Sequence, residues 1–348
     1  MKERTEAQKR KEALFLNRKN GYDLFDKAEE SQLEAYSKSY RAFLDAGKTE
    51  RECVDYIAQK AQENGFHAFE CGGALKAGDK VYRINRGKAI MLAVIGSEGL
   101  DCGANIGAAH IDAPRLDLKQ YPLYEEKELA YLKTHYYGGI RKYHWVSLPL
   151  ELHGVMMLAD GTERKIRIGG ESGDPVFTIN DLLPHLAADQ AKKPLGDAIT
   201  AEQLNLLVGS RPFPDDEGSD RVKLAILELL HEKYGIIEED FLSAELVAVP
   251  ALPSYDVGFD RSMIGAYGQD DRVCAYACLA ALFEESVPKK TAVCMLADKE
   301  EIGSEGVTGM KSAAFDVFMS DLCETQAVPL KRCYEKSFCL SADVTAAF

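Results

Sequence analysis

In Leu296-Ala297-Asp298-Lys299-Glu300-Glu301-Ile302-Gly303-Ser304, two adjacent glutamates follow directly on an apolar, strand-like run. Neighbouring residues leaving a strand point to opposite sides. One carboxylate can therefore hold a metal ion while the other faces the water that the ion activates. Three further segments carry complementary groups, each near its own apolar run: His110-Ile111-Asp112, Gln269-Asp270-Asp271-Arg272 and Ser341-Ala342-Asp343. Imidazole and carboxylate suit zinc, manganese or cobalt, and a set without thiolates fits a catalytic rather than a structural centre. One carboxylate can bridge two ions ~3.5–4 Å apart and hold between them a water of near-neutral pKa, the nucleophile of a hydrolase. Asp112, two residues past His110, can accept the second imidazole N–H and fix its tautomer.

Each segment also has an ordinary reading. A strand-end histidine is often a satisfied polar residue, Asp-Asp-Arg before a helix is a common helix start, and a Glu-Glu pair is usually a solvated loop. Four such segments in one chain, each at the end of an element, favour the joint reading as a metal site. In open α/β sheets, ligands gather beyond the carboxyl ends of the strands.

The elements that must position these groups are legible in outline. Residues 1 to about 65 show helical periodicity (Leu24, Phe25, Ala28, Leu33, Tyr36, Tyr40, Phe43), which predicts two or three helices. Strands are predicted at Lys80–Ile84, which alternates, and at Ala89–Ile95 and Ile106–His110, which are continuously apolar in the manner of buried strands. From about Lys119 to Phe241 the texture turns to tyrosine, glycine and short alternating segments such as Leu148–Val155 and Arg164–Ile168, with a helix over Arg221–Lys233. Ala244–Leu252 resumes the buried-strand pattern, a helix follows over Arg272–Glu285, and Thr291–Ala297 and Ser337–Ser341 give two more strands. Alternating strand and helix predicts an α/β fold, a three-layer and mostly parallel sheet with helices on both faces. The expected division is residues 1–118 and 244–348 as one metal-binding catalytic domain, interrupted by a β-rich insertion over 119–243.

Composition narrows the function further. A chain of 348 residues, 46% hydrophobic and 28% charged, is ordinary for a globular protein. No run approaches the ~20 apolar residues of a membrane span, and the charged start, MKERTEAQKRKEALF, does not read as a secretory signal. Nine scattered cysteines without a CxxC pair suit reduced thiols, so a cytoplasmic location is expected. A net charge of −14 argues against nucleic-acid and anionic-membrane partners, and it favours cations at any metal pocket. There is no GxGxxG behind a strand and no GxxxxGK[ST], Tyr137-Gly138-Gly139 lies inside the insertion, and no nucleophile elbow is present.

From about residue 80 onward the chain resembles the aspartyl aminopeptidase family of dinuclear zinc aminopeptidases, above all its clostridial-type members. AAHIDAPRLDLK resembles the family's His-x-Asp-x-Pro segment, YGQDDR its bridging-aspartate segment, DKEEIGS its Asp-x-Glu-Glu-x-Gly-Ser segment and SADV its later aspartate. The resemblance implies two Zn2+ ions per subunit, with Co2+ or Mn2+ as alternatives. His110 and Asp343 would hold one, Asp270 would bridge both, Glu301 would hold the second, and Glu300 would be the general base. It also implies that the insertion is a dimerisation and lid domain, that His153 in Leu152-His153-Gly154 contacts substrate in a neighbouring subunit, and that subunits form a homo-oligomer, in the family a dodecamer. The family's final zinc-binding histidine lies well downstream of SADV, whereas five residues follow Asp343 here, and none of His67, His135, His144, His185 and His231 sits in a matching segment. The expectation is that this sequence is a piece of a longer chain; the alternative is an incomplete second metal site.

The expected reaction is release of the N-terminal residue from peptides, with acidic residues preferred in the family. Two other readings keep the metals: a related dinuclear deacylase or carboxypeptidase, and a metal-binding assembly subunit without turnover.

Overall fold

The computed structural model describes residues 4–16, 18–214 and 217–346. The extreme start of the chain and its end at Phe348 lie outside them. Three helices come first, as the periodicity predicts: α1 (Glu6–Leu14), α2 (Lys27–Ala46) and α3 (Glu50–Glu63). α1 and α3 both begin with a capping box, Thr5 with Gln8 and Thr49 with Glu52, in which hydroxyl and N3 side chain satisfy each other's orphan backbone N–H groups. Four strands follow, β1 (His67–Ala68), β2 (Lys80–Asn85), β3 (Ala89–Val94) and β4 (Ala104–His110), then four more, β5 (Arg115–Glu126), β6 (Leu129–Tyr137), β7 (Leu150–Met157) and β8 (Glu163–Ile168). The chain continues through α4 (Leu195–Ala198), β9 (Leu206–Gly209), α5 (Arg221–Tyr234), β10 (Glu245–Pro250), β11 (Tyr255–Val257), β12 (Met263–Gly265) and α6 (Gln269–Glu284). It finishes with β13 (Thr291–Ala297), α7 (Ala314–Glu324), α8 (Leu330–Lys336) and β14 (Phe338–Ser341). The described residues up to Ala42 and those from Phe43 onward form two compact units, and the second contains both large sheets. No helix among the described residues is long and apolar enough to cross a membrane.

The first sheet runs β1-β2-β3-β13-β4-β14. It is mixed: β3 pairs antiparallel with both β2 and β13, whereas β13, β4 and β14 are mutually parallel neighbours. β3 and β13 lie inside the sheet, and so they read as unbroken apolar runs. On one face Met91, Ala93, Ile106, Val293 and Met295 pack with Phe318, Met319 and Leu322 of α7 and Cys333 of α8. On the other lie α3 and α6, and here Gly107 permits a close approach. A Cβ on Gly107 would stand 3.2 Å from the Cys278 sulfur of α6. The expected three layers are therefore present. β14 is an edge strand: among the described residues it pairs only with β4, and it is exposed along its whole length.

The second sheet runs β8-β7-β10-β5-β6-β9 and is antiparallel throughout. Its core is a separate cluster that includes Leu116, Leu132, Leu152, Ile166, Ile168, Phe241 and Leu246. It fits an inserted β-rich domain, with two differences from the expected limits. β5 starts at Arg115, before residue 119, and β10, assigned above to the first domain, is hydrogen-bonded between β7 and β5. A buried-strand pattern says that both faces of a strand are covered, but not which sheet covers its edges.

Arg272, at the start of α6, is 1% exposed. Its Nε donates to the Ile111 carbonyl (3.1 Å) and its Nη2 to that of Lys48 (3.2 Å), while the guanidinium stands 5.4 Å from the Tyr267 ring centroid. It ties α6 to the exit of β4 and to the approach of α3. Arg272→Met strips donors from two buried carbonyls and should cost about 3 kcal/mol of stability, read as a lower urea midpoint of the metal-free protein.

Candidate metal centre

Because β13, β4 and β14 are adjacent and parallel, their carboxyl ends share one edge of the first sheet. In register, Ala297 of β13 lies beside His110, the last residue of β4, and Ser341 of β14 lies beside Ala108. The chain leaves β13 into the short turn Glu300–Ile302 and leaves β14 toward Asp343. α6 starts over the same edge with Asp270 and Asp271, whose backbone angles are not helical and whose shared peptide bond is cis.

This brings together the residues that the sequence singled out. His110, Asp270 and Asp343 each offer a ligand atom within 4.8 Å of the others. His110 is buried and its Nε2 has no hydrogen-bond partner. It faces Asp270 Oδ1 at 3.4 Å, Glu300 Oε2 at 3.7 Å and Asp343 Oδ1 at 3.9 Å. The three carboxylate side chains are 54%, 45% and 54% exposed, so the group is roofed by protein on the imidazole side and open on the acidic side. Glu301 joins the same field. Burial, reinforced by the charge of Asp270, lifts its carboxyl to about 7.

Asp112 is wholly buried behind the histidine. His110 Nδ1 lies 3.1 Å from the Asp112 carbonyl and 3.2 Å from its Oδ1, so the expected tautomer control comes from backbone and side chain together. The same carboxylate accepts the backbone N–H of Glu300 on Oδ1 (3.2 Å) and that of Glu301 on Oδ2 (3.3 Å), fixing the loop that carries both glutamates. Burial alone would lower the imidazole pKa, but Asp112, Asp271 and Glu300 outweigh it and hold the ring protonated up to about 9. With Nδ1–H directed at Asp112, the proton that a cation must displace is the one on Nε2, which faces the three carboxylates. An imidazole and several carboxylates around a buried, unpaired nitrogen are the donor chemistry of a zinc-type cation.

Several contributors escaped the sequence reading. Tyr137, the last residue of β6, donates its hydroxyl to Asp112 Oδ2 at 2.6 Å. Gly138 follows at φ 73°, and a Cβ there would stand 3.1 Å from both Cβ and Oε2 of Glu301. Asp298, 1% exposed, accepts from Thr308 Oγ1 (2.6 Å) and from the Lys299 N–H (2.8 Å), pinning the other side of the glutamate loop. The Tyr-Gly-Gly turn was the available signal for the first two, since only glycine tolerates both that backbone angle and that close approach.

His153 is not part of the group. It lies in the middle of the second sheet with no exposed surface, its Nδ1 2.7 Å from Glu52 Oε1 and its Nε2 3.3 Å from Glu151 Oε1. Its contacts within the chain are these two carboxylates, and the expected role toward substrate in a neighbouring subunit stays a proposal. Strand alternation turns it inward, between two carboxylates of the same chain. Burial opposes the charged ring, yet the bonds to Glu151 and Glu52 raise its pKa above the usual 6.5, and despite its own burial Glu52 falls below 4.5. The raised imidazole stabilises fully below 6.5 and loses its contribution as pH climbs through the folded value. The depressed carboxylate stabilises fully above 4.5 and loses its contribution as pH drops through the folded value. The pair is therefore most stabilising between about 4.5 and 6.5. His153→Gln should cost roughly 3 kcal/mol at pH 6 and progressively less as pH rises through the folded imidazole value, measured by urea unfolding of the metal-free protein.

A mixed α/β sheet whose parallel strands deliver an imidazole and several carboxylates to one edge defines a metallohydrolase. The chain belongs to the M18 peptidase family: residues 43–348 match the family described as aminopeptidase I zinc metalloprotease (M18). The probable M18 family aminopeptidase 1 of Clostridium acetobutylicum is 47% identical over 343 residues, which cover 96% of this chain and 74% of that protein. The crystal structure of the M18-family aminopeptidase from Thermotoga maritima superimposes with a TM-score of 0.90 at 44% identity, over 95% of this chain and 73% of that one. Aminopeptidase I from Clostridium acetobutylicum gives 0.88 at 44% identity, over 96% and 74%.

Proposed function

We propose that this protein is a metal-dependent aminopeptidase that removes N-terminal residues from peptides. The observation that carries the reading is the convergence of His110, Asp270 and Asp343 around an unpaired imidazole nitrogen, with Glu300 beside them, in a chain of a zinc aminopeptidase family. His110 and Asp343 would hold one zinc ion, Glu301 would hold a second and Asp270 would serve both; cobalt or manganese suits the same donors. When bound, zinc supplies Lewis acidity toward a carbonyl oxygen and lowers the pKa of water.

The protein's own groups do the rest. Asp112 keeps the His110 Nδ1 proton in place and leaves Nε2 free to coordinate. Glu300, nearly half exposed at the rim, takes a proton from the attacking water and delivers it to the departing amine. The net charge of −14 would not steer acidic peptides to this site, so a preference for acidic residues rests on the family resemblance alone. Assembly into a homo-oligomer, dimer-based through the second sheet, belongs to the same reading.

Release of the first residue from a free-amine peptide, with no release from its N-acetylated counterpart, is the expected result with added zinc. Cleavage of the blocked peptide at its carboxyl end or at its acyl bond would replace this reading with the carboxypeptidase or deacylase one. Tight zinc binding without turnover of any peptide would leave a metal-binding assembly subunit.

A further inference from the structure

We propose that Tyr137 is a positioning residue of the metal centre, through which the second sheet sets the geometry of ligands carried by the first. The inference rests on the metal site proposed above and extends it to a residue that no ligand motif contains.

The case begins with the oxygens of Asp112. Oδ1 is shared between His110 Nδ1 (3.2 Å) and the Glu300 N–H (3.2 Å), and Oδ2 between the Glu301 N–H (3.3 Å) and the Tyr137 hydroxyl (2.6 Å). The three nitrogen contacts are long, whereas the phenol contact falls in the short range of a hydroxyl bound to a carboxylate. Asp112 is 0% exposed and Tyr137 is 7% exposed, so water has little room to take the phenol's place. The strongest single constraint on the rotation of this carboxylate thus comes from β6. Fixing it fixes two things downstream: the His110 ring with Nε2 aimed at the acidic group, and the backbone of the turn that presents Glu300 and Glu301.

Tyr137 is itself firmly placed. The Arg115 guanidinium stacks 4.0 Å from its ring centroid, and Arg115 is held by Glu50 (3.1 Å) and Asp117 (2.8 Å) in the buried space between α3 and β5. Gly138 then turns the chain away in a left-handed conformation that leaves room for Glu301. The hydroxyl is committed to Asp112 and is enclosed, so it acts through Asp112 and not on substrate.

Tyr137→Phe removes one oxygen and keeps the ring on Arg115. In the full chain, zinc affinity measured by competition with a chromophoric chelator should fall about 10- to 100-fold. The visible absorption of the cobalt(II)-loaded protein should change, and kcat for a free-amine peptide should fall while KM stays close to wild type. Asp112→Asn is carried alongside, so a readout exists if the phenylalanine variant folds poorly; its zinc affinity should fall comparably. In the double variant the loss should not exceed that of Asp112→Asn alone, because both act through one carboxylate. Wild-type zinc affinity and cobalt spectrum in Tyr137→Phe, unchanged affinity in Asp112→Asn, or losses that multiply in the double variant would each overturn the proposal. His110→Ala separates this failure from a wider one. If it abolishes zinc binding while Tyr137→Phe leaves it intact, only the role of Tyr137 falls. If His110→Ala also binds normally, the metal site itself is misplaced.

Discussion

Glu300→Gln should lower kcat by about 10²- to 10⁴-fold while the protein still takes up zinc with near wild-type affinity. The amide keeps the volume and the backbone contact of residue 300 to Asp112, since that bond is made by the main-chain N–H. What it loses is the ability to accept a proton at a carboxylate that faces His110 Nε2 from 3.7 Å and is 45% exposed to incoming water and peptide. Peptide binding does not need that proton transfer, so KM should move little and the loss should fall on kcat. Steady-state kinetics with a free-amine peptide, paired with elemental analysis of zinc, checks both halves. Near-normal kcat in this variant would remove Glu300 as the base and leave Glu301 the candidate.

Asp270→Ala should fail differently, losing metal and activity together. Asp270 Oδ1 lies 3.4 Å from His110 Nε2, inside the 4.8 Å cluster, and its charge is the main electrostatic influence on Glu301. Removing it takes a donor from the site assigned to His110 and from the one assigned to Glu301. The fall in zinc affinity should therefore exceed the roughly 10- to 100-fold typical of losing an outer hydrogen-bond partner. Calorimetric titration of zinc into chelator-treated protein gives the measurement, with Glu300→Gln as the variant that should titrate normally. An Asp270→Ala protein that retains two tight sites would show that the ligands have been placed on the wrong residue.

Much of this site could be read from sequence because its residues mark the ends of elements whose periodicity is strong. His110 closes an apolar run that became β4, and Asp343 follows one that became β14. Since three of these strands are parallel neighbours, their ends had to meet. The strands at Lys80, Ala89 and Thr291 and a helical stretch from Leu24 to Phe43 were equally plain from their apolar spacing, whereas α1 buries no residue and its sequence left the helix count at two or three. The antiparallel pairing of β3 with β13 was not foreseeable, because an apolar run carries no direction. β10 was given to the wrong sheet for a related reason: Leu246 to Val249 are buried in either assignment.

His153 and Tyr137 show the other limit. The histidine sits in a motif-like setting, and only the side chains of Glu52 and Glu151, one of them from α3, reveal that it is enclosed. Tyr137 looks like one tyrosine among the 16 of this chain until β6 is placed beside the exit of β4. Both roles are made by contacts between elements, and such contacts leave no periodic trace.

The pairing of β14 with β4 has a consequence for biosynthesis. A ribosome delivers His110 long before Asp343, and the parallel register that seats them side by side forms only after the intervening second sheet has emerged. Non-local pairing of this kind is slow. A nascent chain therefore carries His110 and Glu300 before Asp343 can join them, and the group at this sheet edge is complete only once β14 has emerged and paired with β4.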